Sequence, residues 1–255
     1  MSFIQTETRG SVLIITLNRP EARNAFNRAM AEELEAIVDN YEKTTDLRVA
    51  IFRANGPTFS AGQDLKAALQ GEMAATKRRG GFGIMSKPPM KPLIAAIDGQ
   101  ALAGGMELTL CCDLIVASKA SVFGLAEARR GLVAIGGGCF RLPKRIPPQV
   151  AMEMILTGEP RSAEDMHRFG FVNRVVESGA VLDEALRLAE MISRCGPLAV
   201  KAAKEIAWRS VAESWSDEDG WREQMPIVAP VRKSEDMQEG LKAFAEKREP
   251  VWKGR

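Results

Sequence analysis

The sequence predicts an α/β chain: a core of repeated strand–strand–helix units wound into a spiral, followed by a region that is almost wholly helical. Two observations carry this reading. Short apolar, β-branched runs alternate with helical spacing in three strand–helix–strand passes over about 120 residues, a pattern of a ββα spiral rather than a doubly wound sheet. From Pro147 onward, capping residues open one helix after another with a single short strand between them.

Each element has its own signal. Residues 11–18 (SVLIITLN) form an apolar strand stopped by Asn18-Arg19-Pro20. Between Arg28 and Lys43, Met30, Leu34, Ile37, Val38 and Tyr41 share one helical face. Residues 47–53 form a second strand, and Asn55-Gly56-Pro57 turns the chain into the loop Phe59-Ser-Ala-Gly-Gln-Asp-Leu65. Residues 65–87 contain helix formers broken by Gly71 and by Gly80-Gly81-Phe82-Gly83. They read as a mobile pair of short helices, either a lid beside a site or a disordered surface loop. Residues 92–98 are a buried strand, 104–111 a helix entering the core, 114–117 a strand, and 122–124 a short one. Helices then start near Pro148, Ser162, Ala180, Pro197, Ser216 and Ser234, interrupted by a strand at 173–177. The expected division is a spiral core over residues 1–195 and a helical region over 196–255. Trp208, Trp215, Trp221 and Met225 suit an interface and core packing equally well.

Composition narrows the function. With 45% hydrophobic and 27% charged residues the 255-residue chain is globular, and a net charge of +2 argues against a strong nucleic-acid footprint. The single histidine, His167, removes multi-histidine metal sites and most triad chemistry; before the turn at Gly170 it reads as structural. The four cysteines lack C-x-x-C spacing and are expected as buried, reduced thiols. The N-terminus has no secretory pattern and no apolar run is long enough to span a bilayer, so a cytoplasmic location is expected. No Walker-type loop or Gly-x-Gly-x-x-Gly follows a strand, so nucleotide hydrolysis and NAD are not suggested.

The chemistry concentrates in two small-residue loops and two glutamates. Gly62-Gln63-Asp64 leads from a turn into a helix, and Ala103-Gly104-Gly105 opens the helix carrying Glu107. Loops at helix N-termini present free N–H groups, which suit a developing oxyanion. Glu107 lies one turn after Gly104, and Glu127 follows Phe123-Gly124-Leu125-Ala126. Two carboxylates in a largely apolar pocket divide acid and base roles when their environments separate them.

Phe-Ser-Ala-Gly-Gln-Asp-Leu together with Ala-Gly-Gly-Met-Glu resembles the crotonase (enoyl-CoA hydratase/isomerase) superfamily, from about Thr8 to the C-terminus. The resemblance implies a crotonase-like ββα spiral with a C-terminal helical trimerisation region, assembled as a homotrimer or a hexamer of paired trimers. It implies oxyanion donors on the N–H groups of Gln63 and Gly104. Glu127 is implied to move the proton at the α-carbon, and Glu107 to activate the water that adds at the β-carbon. Coenzyme A contacts fall on Arg23 for a phosphate and on the backbone near Ala25 and Ala61 for adenine, with Asp64 and Leu65 in the same motif. Phe244 and Lys247 match a segment that reaches a neighbouring subunit's adenine and phosphate. The implied activity is hydration of a 2-enoyl-CoA thioester in acyl-CoA metabolism, with no metal or redox cofactor and coenzyme A entering only as part of the substrate.

Two positions depart from the family pattern. Ala126 stands where proline is frequent, and Ile135 replaces a glycine beside the water site, which narrows the acyl pocket. The alternatives are double-bond isomerisation and dehydration of an unusual acyl-CoA such as a carnitinyl group. Isomerases commonly need one acidic residue, so the glutamate pair favours hydration. Outside enzymology, Lys201, Lys204 and Arg209 around Trp208 would have to carry RNA binding, and three charges are too few. Neither a nucleic acid nor a membrane is expected as a partner.

Overall fold

A computed structural model describes residues 2–255. In chain order, β1 (Ile4–Arg9) and β2 (Val12–Leu17) form an antiparallel hairpin, followed by α1 (Arg28–Lys43). The first spiral turn is β3 (Val49–Ala54), β4 (Thr58–Ser60) and α2 (Leu65–Leu69); a small hairpin of β5 (Ala75–Thr76) and β6 (Gly80–Gly81) follows it. The second is β7 (Leu93–Ile97), β8 (Gln100–Leu102) and α3 (Gly104–Thr109). The third is β9 (Leu114–Ser118) and β10 (Val122–Gly124), a 3-10 turn at Glu127–Arg130, and α4 (Gly138–Arg141). Then come α5 (Pro148–Thr157), β11 (Arg161–Ser162), α6 (Ala163–Arg168), β12 (Arg174–Val176), α7 (Val181–Ser193), α8 (Pro197–Ala212), α9 (Asp217–Arg232) and α10 (Glu235–Glu246).

Each spiral turn places one strand in each of two sheets. The larger sheet runs β1-β2-β3-β7-β9-β12 and is parallel from β2 onward. The smaller runs β11-β10-β8-β4, with β10, β8 and β4 parallel. Strands β3 and β7 are buried on both faces, which explains their unbroken apolar runs. Ala50 and Phe52 of β3 face the main core, whereas Val49 and Ile51 pack with Val181, Ala185 and Leu188 of α7.

Most helix starts follow from local chemistry. The Asn27 side chain accepts from Met30 N–H at 3.0 Å to cap α1, and Ser162, Ser216 and Ser234 cap α6, α9 and α10 in the same way. The far end of α1 is closed by Lys91, whose ammonium donates to the carbonyls of Tyr41, Thr44 and Leu47. Strand β1 escaped the sequence reading because only Ile4 of its six residues is buried, so it carries no alternating signal.

Two expectations need correction. Residues 65–87 are not a pair of helices: only α2 forms, and the rest is a hairpin whose far side is packed. Phe82, Ile84 and Met85 are buried, Phe82 stacks on Phe26 at 4.4 Å, and Arg79 pairs with Asp39 at 2.8 Å. The glycines that suggested breaks instead let this segment pass close to α1 and to Ser86. Cys111 and Cys112 are buried free thiols as expected, but Cys139 and Cys195 are exposed. Lys204 and Trp208 do not form one exposed face of the helix. They turn inward onto Asp113, at 2.6 and 2.8 Å.

Asp113 is therefore the joint between the C-terminal helices and the sheet. Its carboxylate also accepts from the Leu93 N–H at the start of β7, at 2.7 Å. The Lys204 side chain is only 9% exposed, so removing its partner strands a cation in a dry site. Asp113→Ala is expected to lower unfolding stability by roughly 3 kcal/mol in urea titrations; a loss under about 1 kcal/mol would mean that the joint bears little of the load.

Candidate active site

The three parallel strands of the small sheet end side by side, and each end delivers one part of the site. Strand β4 runs into Ala61-Gly62-Gln63, β8 into Ala103-Gly104, and β10 into the 3-10 turn that begins at Glu127. Gly62, with φ at +93°, lies so close to the second loop that a β-carbon there would stand 2.8 Å from the Gly104 nitrogen. A β-carbon on Gly104 would meet the Phe82 ring at 2.6 Å and the Gly62 α-carbon at 3.2 Å. Glycine is thus a requirement of space at both positions, and of conformation as well at Gly62. The N–H groups of Gln63 and Gly104 have no hydrogen-bond partner among the described residues.

Both loops are held from behind. The Gln63 side chain accepts from Ala74 N–H at 3.1 Å, and Ser60 Oγ accepts from Gly62 N–H at 3.1 Å. Ala103 has φ +52° and ψ −128°, a strained conformation for a residue with a side chain. It is locked by its N–H on the Gly124 carbonyl at 2.8 Å, while its own carbonyl accepts from Met106 and Glu107.

The two glutamates sit in different surroundings. Glu107 is 4% exposed, and one carboxylate oxygen accepts from Gly138 N–H at 2.9 Å. Gly136 adds a second backbone bond, and a β-carbon there would stand 2.6 Å from the other oxygen. Burial raises the Glu107 pKa; the two glycine N–H groups and the charge of Arg141 hold part of that rise back. Glu127 has less help, with only its own backbone N–H favouring the charged form. Burial pushes its pKa up from 4.5 to about 7, and its neighbour Glu107 pushes the same way. One of its carboxylate oxygens is buried with no partner at all. Both carboxyls are therefore held above the ordinary range, and Glu127 holds a proton far more readily than an ordinary glutamate.

The sequence-predicted contact residues divide. Asp64 caps α2 by accepting from Lys66 and Ala67 N–H, and it pairs with Arg19 at 2.8 Å. Burial alone would raise its pKa; Arg19 and the cap outweigh burial and keep it low. Arg23 is exposed, its own carbonyl accepting from Ala61 N–H at 3.0 Å, and the Ala25 carbonyl accepts from Arg19 at 2.9 Å. Leu65 is half exposed at the loop's end. These residues form one continuous edge beside Gln63. Ile135 lies 78% exposed on the loop preceding Gly136, with Leu132 and Val133 exposed beside it. Phe244 is 87% exposed on α10 and Lys247 closes that helix, so the single chain does not seat either at the two loops. His167 is structural, its Nδ1 2.7 Å from the Val172 carbonyl.

Several positioning residues lay beyond the sequence reading. Phe82 walls Gly104, Met85 abuts Gly136, and Asn24 bridges the Asn55 and Thr58 carbonyls. Asn24 sits next to the Arg-Pro turn and could have been flagged from its neighbourhood; the other two come from a segment with no helical or strand period.

Comparison with known proteins agrees with this geometry. A sequence model described as enoyl-CoA hydratase/isomerase matches residues 7–255, and the chain belongs to that family. It is 43% identical to a carnitinyl-CoA dehydratase of Citrobacter koseri and 44% to one of Proteus mirabilis, covering 96% and 97% of both partners respectively. Among solved structures it is similar to an enoyl-CoA hydratase of Mycobacterium tuberculosis, at 48% identity, full coverage of both chains and a TM-score of 0.96. It is also similar to a carnitinyl-CoA hydratase of Mycobacterium avium, at 39% identity, full coverage and a TM-score of 0.78. The crotonase-like fold is thereby established. No helix among the described residues is long and apolar enough to cross a membrane.

A raised carboxyl pKa costs stability as pH rises. The unfolded glutamate ionises near 4.5 and the folded Glu127 near 7, so between those values the folded state holds the extra proton and stability falls. Relative to Glu127→Gln, the wild type is expected to lose roughly 1–2 kcal/mol between pH 5 and pH 8, after discounting for partial solvent access. Thermal melts of both proteins across that range measure it; parallel curves would mean that Glu127 titrates like a surface carboxylate.

Proposed function

We propose that the chain catalyses reversible addition of water across the 2,3 double bond of a 2-enoyl-CoA thioester. The observation that carries this reading is the unequal glutamate pair: Glu107 held by backbone N–H groups, and Glu127 raised to about 7 with an unpartnered oxygen. Attack of water at the β-carbon sends negative charge to the thioester oxygen. The N–H groups of Gln63 and Gly104 receive it without reorganising, each worth roughly 3–4 kcal/mol of barrier. Ionised Glu107 takes a proton from the attacking water. Protonated Glu127 delivers its proton to the α-carbon, and dehydration runs the same steps backwards. These groups cover both proton transfers and the developing charge, so the scheme calls for no metal or redox group.

Coenzyme A enters as part of the substrate, along the edge of Arg23, Ala25, Ala61, Asp64 and Leu65. In this reading Phe244 and Lys247 serve the neighbouring subunit of a trimer, or of a hexamer of paired trimers, which residues 196–255 assemble around the core. The exposed position of Phe244 supports such a contact. Ile135 borders the acyl end. The reaction is assigned to the cytoplasm.

A second reading, dehydration of carnitinyl-CoA, is favoured by the names of the curated relatives at 43–44% identity. It uses the same two glutamates and differs only in the acyl group, so a direct comparison of crotonyl-CoA and carnitinyl-CoA as substrates separates the two.

Loss of enoyl-thioester absorbance with crotonyl-CoA tests the mechanism. Glu107→Gln and Glu127→Gln are each expected to lower kcat by roughly 10²-fold or more. A wild type inactive on crotonyl-CoA and on longer chains rejects ordinary enoyl substrates. Gly104→Ala brings a methyl group against Phe82 and moves the second donor; it is expected to lower kcat by roughly 10²–10³-fold. Retention of most activity would mean that the Gly104 N–H does not face the thioester oxygen.

A further inference from the structure

Arg141 is a cation with no role in the scheme so far. Its guanidinium donates to the Met85 carbonyl at 2.7 Å and to the Cys111 sulfur at 3.4 Å. It forms no ion pair among the described residues. Its side chain also packs under Gly137, where a β-carbon would stand 3.1 Å from the Arg141 δ-carbon. Three segments thus meet on one guanidinium. They are the packed turn after the small hairpin at Met85, the turn of chain after Glu107, and the Gly136–Gly138 loop that faces the Glu107 carboxylate. Cys111 in turn donates to the Glu107 carbonyl at 3.4 Å.

We propose that Arg141 is a positioning residue for Glu107: it clamps the Gly136–Gly138 loop over that carboxylate and supplies the positive charge that faces it. This rests on the hydratase reading for its catalytic consequence, though not for its geometry. The groups bearing on Glu107 are few: Arg141 from α4, Glu127 from the 3-10 turn, and the neutral thiol of Cys111, itself faced by Arg145. Burial disfavours a charged Glu107. Arg141 is the cation that opposes it, and no carboxylate pairs with that guanidinium among the described residues to dilute its field. Because it acts on one carboxylate and not the other, it helps to separate acid from base.

The test compares Arg141→Gln and Arg141→Lys with wild type in the full-length protein. Removing the charge moves the base to a higher pKa, so the acidic limb of kcat/KM against pH is expected to shift upward by about one unit in Arg141→Gln. Arg141→Lys keeps the charge but cannot hold both acceptors in a planar fork. Its limb is expected to stay in place while kcat falls several-fold. A uniform fall in kcat with an unmoved limb in Arg141→Gln reduces Arg141 to a packing residue and overturns the proposal. So does a lysine variant indistinguishable from wild type in both quantities, which decides the matter if the glutamine variant does not fold. Carboxyl titration by difference infrared spectroscopy, with Glu127→Gln as the background and Glu107→Gln subtracted, reads the Glu107 pKa without turnover. If no enoyl-CoA is turned over, the hydratase reading fails while this titration still decides the role of Arg141.

Discussion

The site depends on the close approach of two glycines from different turns of the spiral. Gly62 and Gly104 are near enough that neither tolerates a β-carbon, and their neighbouring N–H groups are left free. That approach is a consequence of the small sheet. Strands β4, β8 and β10 run parallel and end together, so whatever follows each strand is gathered at one edge. The ladder between β4 and β8 shifts register between Thr58 and Ser60, which alters how far the first loop advances beside the second. The long sheet, α1 and α7 serve this arrangement by fixing where each short strand begins.

Electrostatic division of labour follows from the same edge. Glu107 is one turn into α3 and reaches back under the Gly136–Gly138 loop, where backbone N–H groups replace water. Glu127 begins a 3-10 turn in which only its own backbone N–H favours the charge, and one oxygen is left unpartnered. Two chemically identical side chains therefore differ because of which backbone surrounds them. The asymmetry would vanish if Gly136 carried a β-carbon, since its side chain would displace the Glu107 carboxylate.

How much of this was legible in the sequence depends on whether the signal was local. Helix starts at Ser162, Ser216 and Ser234 are local capping chemistry, and each lies where the residues indicate. The two donor loops and both glutamates were visible because small residues and carboxylates stand in recognisable motifs. What surrounds them was not. Phe82, Met85 and Arg141 act across 30 to 56 residues of separation or through a hairpin with no hydrophobic period, and no local pattern announces such contacts. The same blindness turned residues 65–87 into an expected mobile pair of short helices, and left the contacts of Lys204 and Trp208 with Asp113 unseen.

The site also carries costs that the rest of the chain must offset. Ala103 sits at φ +52°, an oxygen of Glu127 is buried without a partner, and both glutamates lie in surroundings that disfavour their charge. Strain of this kind costs about 1–3 kcal/mol at each position and persists only where surrounding structure leaves no alternative. Here the surroundings are two sheets whose central strands run parallel and are paired on both sides. Ala103 is held by its N–H on the end of β10 and by the first turn of α3 on its carbonyl. The orphaned Glu127 oxygen has a different logic. A partner there would stabilise the folded chain and, by favouring one protonation state, would also remove the carboxyl group's capacity to exchange a proton near neutrality. An acid that is to give and regain a proton near neutrality is best left with one oxygen unclaimed by the protein, as this one is.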